Sequence, residues 1–214
     1  MALKLGLVLM AAVFTLHAKK HELQMTPWDT FTVEDTEEWG VTIDRYRPTY
    51  FADVSIRPKQ EKTFSLKLYF KADLRYFMDH DRFNTPEAMK ERVLESSKPY
   101  LKYAVEKNIE VEEITNKGWY GFKTTITDAS LVDKPIPENE YLYIIRGMIR
   151  LSDPRRGSAL GFSLMTNDTQ SEETEKIMAY IYAFAKERET AQGEEQETVT
   201  EDAKPVEDEN KEKQ

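Results

Sequence analysis

The most specific chemistry in the sequence lies near its start, where Lys19, Lys20 and His21 follow Ala18. Cleavage after Ala18 would create a free amine two residues before a histidine. That amine, two deprotonated backbone amides and the His21 imidazole would then surround a metal ion in one plane, an arrangement that Cu(II) and Ni(II) favour. The pattern predicts a copper site at the mature amino terminus. A flexible polar end with an incidental histidine is the alternative, because short motifs often match by chance.

A second metal candidate is the short acidic stretch Asp79, His80 and Asp81. Its two carboxylates and one imidazole could surround a divalent ion. The stretch does not match a calcium-binding loop, because Phe83 and Asn84 stand where the next oxygen ligand and the turn glycine should be. The alternative is a solvated loop whose charge stabilises the start of the following helix.

Residues suited to catalysis are sparse. The chain has no cysteine and only three histidines, and it contains no G-x-S-x-G, H-E-x-x-H or phosphate-binding glycine-rich motif. The neighbouring carboxylates Glu112 and Glu113 would point to opposite faces of a strand, so they are poorly placed to act as an acid and base pair. We therefore expect a binding module without a cofactor, and an exported hydrolase built from dispersed residues is the alternative.

Two short stretches are candidates for contact with a partner. Trp119 and Tyr120 lie in the aromatic sequence GWYGF and could stack on a ligand, although buried rings in a hairpin are the ordinary outcome for such a sequence. Arg155 and Arg156 lie in the turn DPRRG. They could dock an acidic partner or a lipid headgroup, and a solvated turn is the alternative.

The beginning of the chain resembles a secretory signal peptide. Lys4 precedes an apolar run from Leu5 to Leu16, which is shorter than the roughly 20 residues that a membrane-spanning helix needs. The pattern predicts that residues 1–18 are a signal peptide and that the protein is exported, to a periplasm or out of the cell. An uncleaved anchor helix is the alternative, and only then would we expect membrane contact.

The charges are concentrated at the carboxyl end. Of the net charge of −9, residues 189–214 contribute −7, from ten acidic and three basic side chains. This segment is nearly free of large apolar residues, which predicts a disordered acidic tail. The nearly neutral remainder excludes nucleic acid as an expected partner and leaves a protein partner, in an oligomeric state that the sequence leaves open. We divide that remainder into a short polar amino terminus, residues 19–24, and one α+β domain, residues 25–188.

Apolar periodicity predicts the elements of this domain. Residues alternate between apolar and polar from Phe64 to Lys71, as in a strand with one buried face. Thr85 and Pro86 are suited to begin a helix, which Pro99 should interrupt. Further strands are predicted in WGVTIDRY, YFADVSIRP, the segments on both sides of the turn at Gly118, YLYIIRGMIRL and ALGFSLMTN. A closing helix should follow a capping box that begins at Thr169. The expected fold is an antiparallel sheet with helices packed on it.

From Phe64 to Phe184 this pattern resembles the PsbP-type α/β/α sandwich. The resemblance is carried by FSLKLYFK, the central helix, IEVEEITNKGWYGFKTTITD, YIIRGMIRL, GFSLMTND and the closing helix. Proteins of that type mostly act as binding or assembly modules. The resemblance therefore implies an exported, non-enzymatic protein that works by binding a partner.

Overall fold

The computed structural model describes residues 19–26, 29–46, 51–72, 85–116, 119–150 and 158–184. The predicted signal peptide, the stretch 79–81, the predicted turn at 155–156 and the acidic carboxyl-terminal segment lie outside these residues. The described strands are β1 (Lys19–Thr26), β2 (Asp29–Asp35), β3 (Trp39–Tyr46), β4 (Phe51–Pro58), β5 (Phe64–Ala72), β6 (Glu112–Asn116), β7 (Trp119–Thr127), β8 (Tyr143–Arg150) and β9 (Ser158–Thr166). The helices are α1 (Pro86–Ser97), a 3₁₀ helix (Lys98–Tyr103) and α2 (residues 172–184).

Seven of these strands form one antiparallel sheet in the order β3-β4-β5-β9-β8-β7-β6, and β1 pairs with β2 in a separate hairpin. The strands β5 and β9 meet near the middle of the sheet. Phe64, Leu66, Leu68 and Phe70 of β5 are all buried, whereas Lys67 between them is exposed. The predicted two-residue period therefore separates two faces. We call the face with Phe64 to Phe70 the first face and the opposite one the second face.

The prediction of an α+β sandwich with helices packed on a sheet is wrong. The described residues form a mainly β protein, with a seven-stranded and a two-stranded antiparallel sheet and only short α-helices. The difference arises at the amino-terminal end. There the β1–β2 hairpin, which the sequence analysis did not predict, covers much of the first face, where helices were expected.

The main core lies between the first face, the hairpin and α2. Its fully or nearly buried side chains are Leu23, Phe31, Val33, Trp39, Val54, Ile56, Phe64, Leu66, Leu68, Phe70, Ile145, Ile149, Leu160, Phe162, Leu164, Ile177, Ile181 and Phe184. Phe70 is at the centre of an aromatic group, with its ring 4.9 Å from that of Phe31 and 5.6 Å from that of Phe184. The hairpin and α2 therefore share one apolar contact region on the sheet.

A salt bridge joins the end of the hairpin to the β4–β5 connection. The Lys59 ammonium lies 2.6 Å from Asp35 Oδ1 and 2.7 Å from the carbonyl oxygen of Thr36. The hydrogen bond from Lys59 is the main reason that the pKa of Asp35 is lowered from its ordinary value of 3.8, and a backbone amide and the nearby His21 act in the same direction. Partial burial opposes them. The charge pair thus connects the end of β2 to the segment between β4 and β5.

A smaller core lies on the second face beneath α1. Met89 and Val93 of the helix contact Phe122, Met148 and Ala159 of the sheet. This cluster covers the end of β7 and β8 that is farther from the 3₁₀ helix. The other end of the same two strands is covered by different segments, which form the groove described below.

Several local predictions are confirmed. Thr85 Oγ1 accepts a hydrogen bond of 3.1 Å from Ala88 N, so it caps α1 as expected. Pro99 follows the end of α1, where the chain continues as a 3₁₀ helix.

The predicted capping box at Thr169 is wrong, because α2 begins two residues later than that box requires. Ser171 Oγ accepts a hydrogen bond from Thr174 N and takes the capping role.

Candidate functional site

The second face carries an open groove of about 770 Å³ at the end of β7 and β8 that is closer to the 3₁₀ helix. We call it the tyrosine groove, because Tyr100, Tyr103 and Tyr141 line it. Its volume lies within the range of protein binding pockets, about 300 to 1,000 Å³. It is the candidate functional site.

Three adjacent strands supply the apolar floor of the groove. Ile126 of β7 lies opposite Ile144 of β8, which in turn lies opposite Met165 of β9. Cross-strand partners of this kind have their side chains on the same face of the sheet. All three line the groove, so its base is continuous and aliphatic.

The 3₁₀ helix forms one wall. Residues i and i+3 of such a helix lie one above the other, so Tyr100 and Tyr103 face the same side. The backbone fixes this wall to β7, because Val105 N donates to Thr127 O over 3.0 Å and Ala129 N donates to Tyr103 O over 2.9 Å. Tyr103 is nevertheless 62% exposed and Tyr100 is 37% exposed. The rings are held in place but remain open to solvent.

The connection between β7 and β8 forms a second wall. Asp128 Oδ1 accepts from both the amide and the hydroxyl of Ser130, at 2.8 and 2.7 Å, and this turn begins the loop. Leu131 is buried, at 7% exposure, and secures the loop to the sheet. Asn139 has a φ of 70°, a left-handed conformation that asparagine tolerates better than most residues. The loop therefore has a defined shape.

Glu106 supports the wall that the 3₁₀ helix makes. Its carboxylate accepts from Thr127 N at 2.9 Å and from the Thr127 hydroxyl at 2.7 Å. Burial by itself would raise the pKa of this group, but the hydrogen bonds from Thr127 and from the backbone outweigh it. The pKa of Glu106 is therefore lowered from its ordinary value of 4.5.

The lowered pKa gives a testable pH dependence. Because the folded protein holds the ionised form, Glu106 stabilises the fold above its ordinary pKa of 4.5, and this stabilisation is lost as the pH falls through the lower folded value. We expect Glu106→Gln to lower the free energy of unfolding at pH 7 by about 1 kcal/mol, because the amide places a donor against the donors of Thr127. Urea unfolding at pH 7 and at successively lower pH measures this.

The control is Glu110→Gln, which changes the same charge at an exposed position. The difference in stability between wild type and Glu106→Gln should narrow below pH 4.5, and Glu110→Gln should stay close to wild type throughout. If both variants behaved alike at every pH, Glu106 would have no role in holding the wall.

The charges that line the groove are both negative. Among the residues that line it, Asp128 and Glu140 are the two that carry formal charge. Cations also surround the groove. The ammonium of Lys134 donates to the carbonyl oxygen of Ser130 over 2.8 Å, the guanidinium of Arg146 lies 4.6 Å from the Tyr100 ring centre, and the ammonium of Lys102 lies 4.5 Å from that of Tyr103. The two carboxylates therefore favour neutral or positively charged groups where a ligand meets them.

Tyr141 connects the groove to the neighbouring part of the sheet. Partial burial raises the pKa of its phenol, while the charges of Arg57 and Lys62 act in the opposite direction. Lys62 is itself paired with Glu138 at 3.1 Å. The phenol of Tyr141 stays protonated at neutral pH and can donate a hydrogen bond.

The structure places the candidate copper ligands at the start of β1. Lys19, Lys20 and His21 pair with β2, and Lys20 forms a 3.2 Å salt bridge with Glu34. In an antiparallel pair every second residue hydrogen-bonds to the partner strand. A metal that takes the amides of two successive residues would have to compete with this pairing. The copper site remains a prediction.

The aromatic candidates are only partly placed. Trp119 begins β7, and its side chain is not among those described. Tyr120 is half-buried, and its hydroxyl accepts a 2.6 Å hydrogen bond from Arg150, so it packs against the core beneath α1. The remaining candidates, Asp79, His80, Asp81, Arg155 and Arg156, lie outside the described residues.

Within the described ranges, no three His, Cys, Asp or Glu side chains lie close enough together to hold a metal ion. No helix in the same ranges is both long and apolar enough to cross a membrane. The comparisons found no match to any family model, curated protein or solved structure. The resemblance to PsbP-type proteins therefore stays a prediction.

The motifs of the sequence do not predict the tyrosine groove. Tyr100 and Tyr103 are separated from Tyr141 by about forty residues. The pairing of β7 with β8 and the backbone hydrogen bonds of Val105 and Ala129 bring their segments together. A local signal was nevertheless present. Two tyrosines at i and i+3 directly after Pro99, on a helix that the proline must interrupt, are suited to form an exposed aromatic pair.

Proposed function

We propose that the protein is an exported, non-enzymatic binding module and that its partner is a protein that docks in the tyrosine groove. Residues 1–18, with the pattern of a signal peptide, support export. One observation carries the binding site: Tyr100 and Tyr103, two of the four exposed large apolar side chains among the described residues, line the groove. The other two, Val105 and Val132, belong to the chain segments of the two walls without lining the groove.

Clustering of this kind has a physical meaning. Single exposed apolar residues are common on any protein surface, but a continuous patch of them beside a concavity is typical of an interaction site. The walls are also held by backbone hydrogen bonds, so the patch is formed before a partner arrives. Binding would then cost little ordering entropy.

The same residues support binding over catalysis. Glu106 is the carboxylate next to the groove with a perturbed pKa, and its pKa is lowered. A carboxyl group that acts as a general acid near neutral pH needs a raised pKa instead. Both carboxylate oxygens of Glu106 are also engaged by Thr127, so this group is suited to hold the wall in place.

The proposal predicts that fragments of proteins bind in the groove. We expect N-acetyltyrosine amide and N-acetylleucine amide to shift the NMR amide signals of Tyr103, Leu131 and Ile144 in the ¹⁵N-labelled protein. Tyr103→Ser should weaken these shifts at least 5-fold, because it removes the most exposed ring of the wall. Tyr103→Phe keeps the ring and serves as the matched control.

Either of two results would contradict the proposal. One is that neither probe shifts the groove signals at millimolar concentration. The other is that Tyr103→Ser binds the probes as wild type does, which would place the contact elsewhere. Because Tyr103 is mostly exposed, both variants should fold normally, and their unperturbed spectra would show this.

A further inference from the structure

Resting on the proposed function, we infer that the ligand of the tyrosine groove is an extended, proline-containing segment of a partner protein that carries basic side chains. Three properties of the groove lead to this ligand: its aliphatic floor, its tyrosine walls and its acidic lining.

The aliphatic floor disfavours sugars. Ile126, Ile144 and Met165 offer no hydrogen-bonding group to a ligand that lies on them. Sugar hydroxyls pressed against such a surface would lose their hydrogen bonds to water without replacement, and each one costs about 1 to 3 kcal/mol. Prolyl and aliphatic side chains have no such cost. The floor therefore favours the apolar side chains of a peptide over a sugar.

The tyrosine walls favour an extended peptide over a helical one. A polyproline II segment has no internal hydrogen bonds, so its carbonyl groups are free to accept from tyrosine hydroxyls. Proline-rich segments of this type dock in aromatic-lined grooves. They are also extended before binding, which matters in an open groove of limited contact area, because little ordering entropy is lost.

The acidic lining specifies the charge of the ligand. Asp128 and Glu140 are the charged side chains among those that line the groove. Asp128 uses Oδ1 to hold Ser130, which leaves its second oxygen for a ligand, and Glu140 is exposed. A lysine or arginine on the peptide would complement both carboxylates. A glutamate at the same place on the peptide would be repelled by these two carboxylates.

Three ten-residue acetylated peptides test this inference by isothermal titration calorimetry with the full chain. They share a proline-rich sequence and differ at two positions, which carry arginine, glutamine or glutamate. We expect the arginine peptide to bind at least 10-fold more tightly than the glutamate peptide at low salt, with the glutamine peptide between them. Added salt should reduce the difference in affinity between the arginine and glutamate peptides, because it screens exposed charges.

The variant that tests the role of the two carboxylates is the double substitution Asp128→Asn and Glu140→Gln. Asparagine keeps the oxygen that accepts from Ser130, so the loop should retain its shape. In this double variant the arginine peptide should bind only as well as the glutamine peptide, whose own affinity should not change by more than 2-fold. An unchanged preference for arginine would overturn the role of the two carboxylates.

Two competitors test the other occupants. An amphipathic helical peptide of the same charge or a neutral oligosaccharide that binds more tightly than the arginine peptide would overturn the inference. If no proline-rich peptide binds while the single-residue amides still shift the groove signals, the ligand class is wrong and the binding site stands. If neither the peptides nor the amides bind, the site itself is wrong.

Discussion

Replacing Gly147 with alanine should lower the free energy of unfolding by about 3 kcal/mol, at the upper end of the usual cost of overpacking. Gly147 lies in β8 directly opposite Phe162 of β9. A methyl group at position 147 would overlap the Phe162 ring and would lie 2.7 Å from the carbonyl oxygen of Phe122. The ring is buried, at 2% exposure, and the carbonyl belongs to the backbone of β7. Neither neighbour can move without disturbing the centre of the sheet.

Gly161→Ala is the matched control, because it makes the same change one strand away. Its methyl group would meet Tyr69 at 3.6 Å, an ordinary contact distance. We expect the free energy of unfolding of Gly161→Ala to lie within about 0.5 kcal/mol of the wild-type value or slightly above that value, since alanine restricts the unfolded chain more than glycine does. Urea unfolding of both variants gives the comparison.

A second variant separates the two obstacles at position 147. Phe162→Leu trims the ring but leaves the Phe122 carbonyl in place. If the backbone contact matters as well, Gly147→Ala should still destabilise the protein when it is added to Phe162→Leu. If Gly147→Ala and Gly161→Ala lowered the free energy of unfolding by the same amount, this would contradict the close packing of Phe162 against Gly147.

The strands that could be predicted share one property. In each of them, apolar and polar residues alternate regularly, or two apolar segments lie on both sides of a clear turn. Apolar and β-branched residues on both sides of Gly118 predict the hairpin of β6 and β7. The segments WGVTIDRY and YFADVSIRP predict the strands β3 and β4, and the structure shows that these two strands pair. In these segments the local pattern and the final packing agree. The local pattern of apolar residues was sufficient because few other arrangements of these segments bury the same side chains.

The β1–β2 hairpin shows why the fold class was wrong. In β2, Phe31 and Val33 are buried, but Glu34 and Asp35 follow them at once. In β1 the described buried side chain is Leu23. The sequence of this segment, taken without its contacts to the rest of the protein, therefore indicates a polar terminus, because it has few apolar and many charged residues. Their burial depends on Phe70 and Phe184, which are distant in the sequence.

The candidate site was harder to predict than the fold. Motif reasoning favours residues that lie close together in sequence, such as Lys19 to His21. The groove has no such motif, because its walls come from the 3₁₀ helix and from a loop that begins at Asp128. The backbone bonds of Val105 and Ala129 bring these segments side by side. Contacts of that kind depend on tertiary structure, and the local signal of two tyrosines after Pro99 does not show which segment they meet.

Replacing Phe31 with alanine should lower the free energy of unfolding by about 3 to 4 kcal/mol, since it removes a buried ring at the junction of hairpin, sheet and α2. The Phe31 ring is 6% exposed and lies 4.9 Å from the ring of Phe70 and 6.4 Å from that of Phe184. A two-stranded hairpin alone is barely stable in water, so β1 and β2 depend on this contact. Their amides should therefore lose protection from hydrogen exchange.

The loss of protection should also be local, and this distinguishes detachment of the hairpin from a uniform loss of stability. In Phe31→Ala, amides of β1 and β2 should exchange faster than those of β5 and β9, because the central strands keep their pairing to each other. Thr32→Val is the control, since it changes the neighbouring side chain on the other face of β2 and keeps its branching. If Phe31→Ala exchanged and unfolded as Thr32→Val does, the hairpin would not belong to the core, and the amino-terminal segment would be the polar extension that its composition indicates.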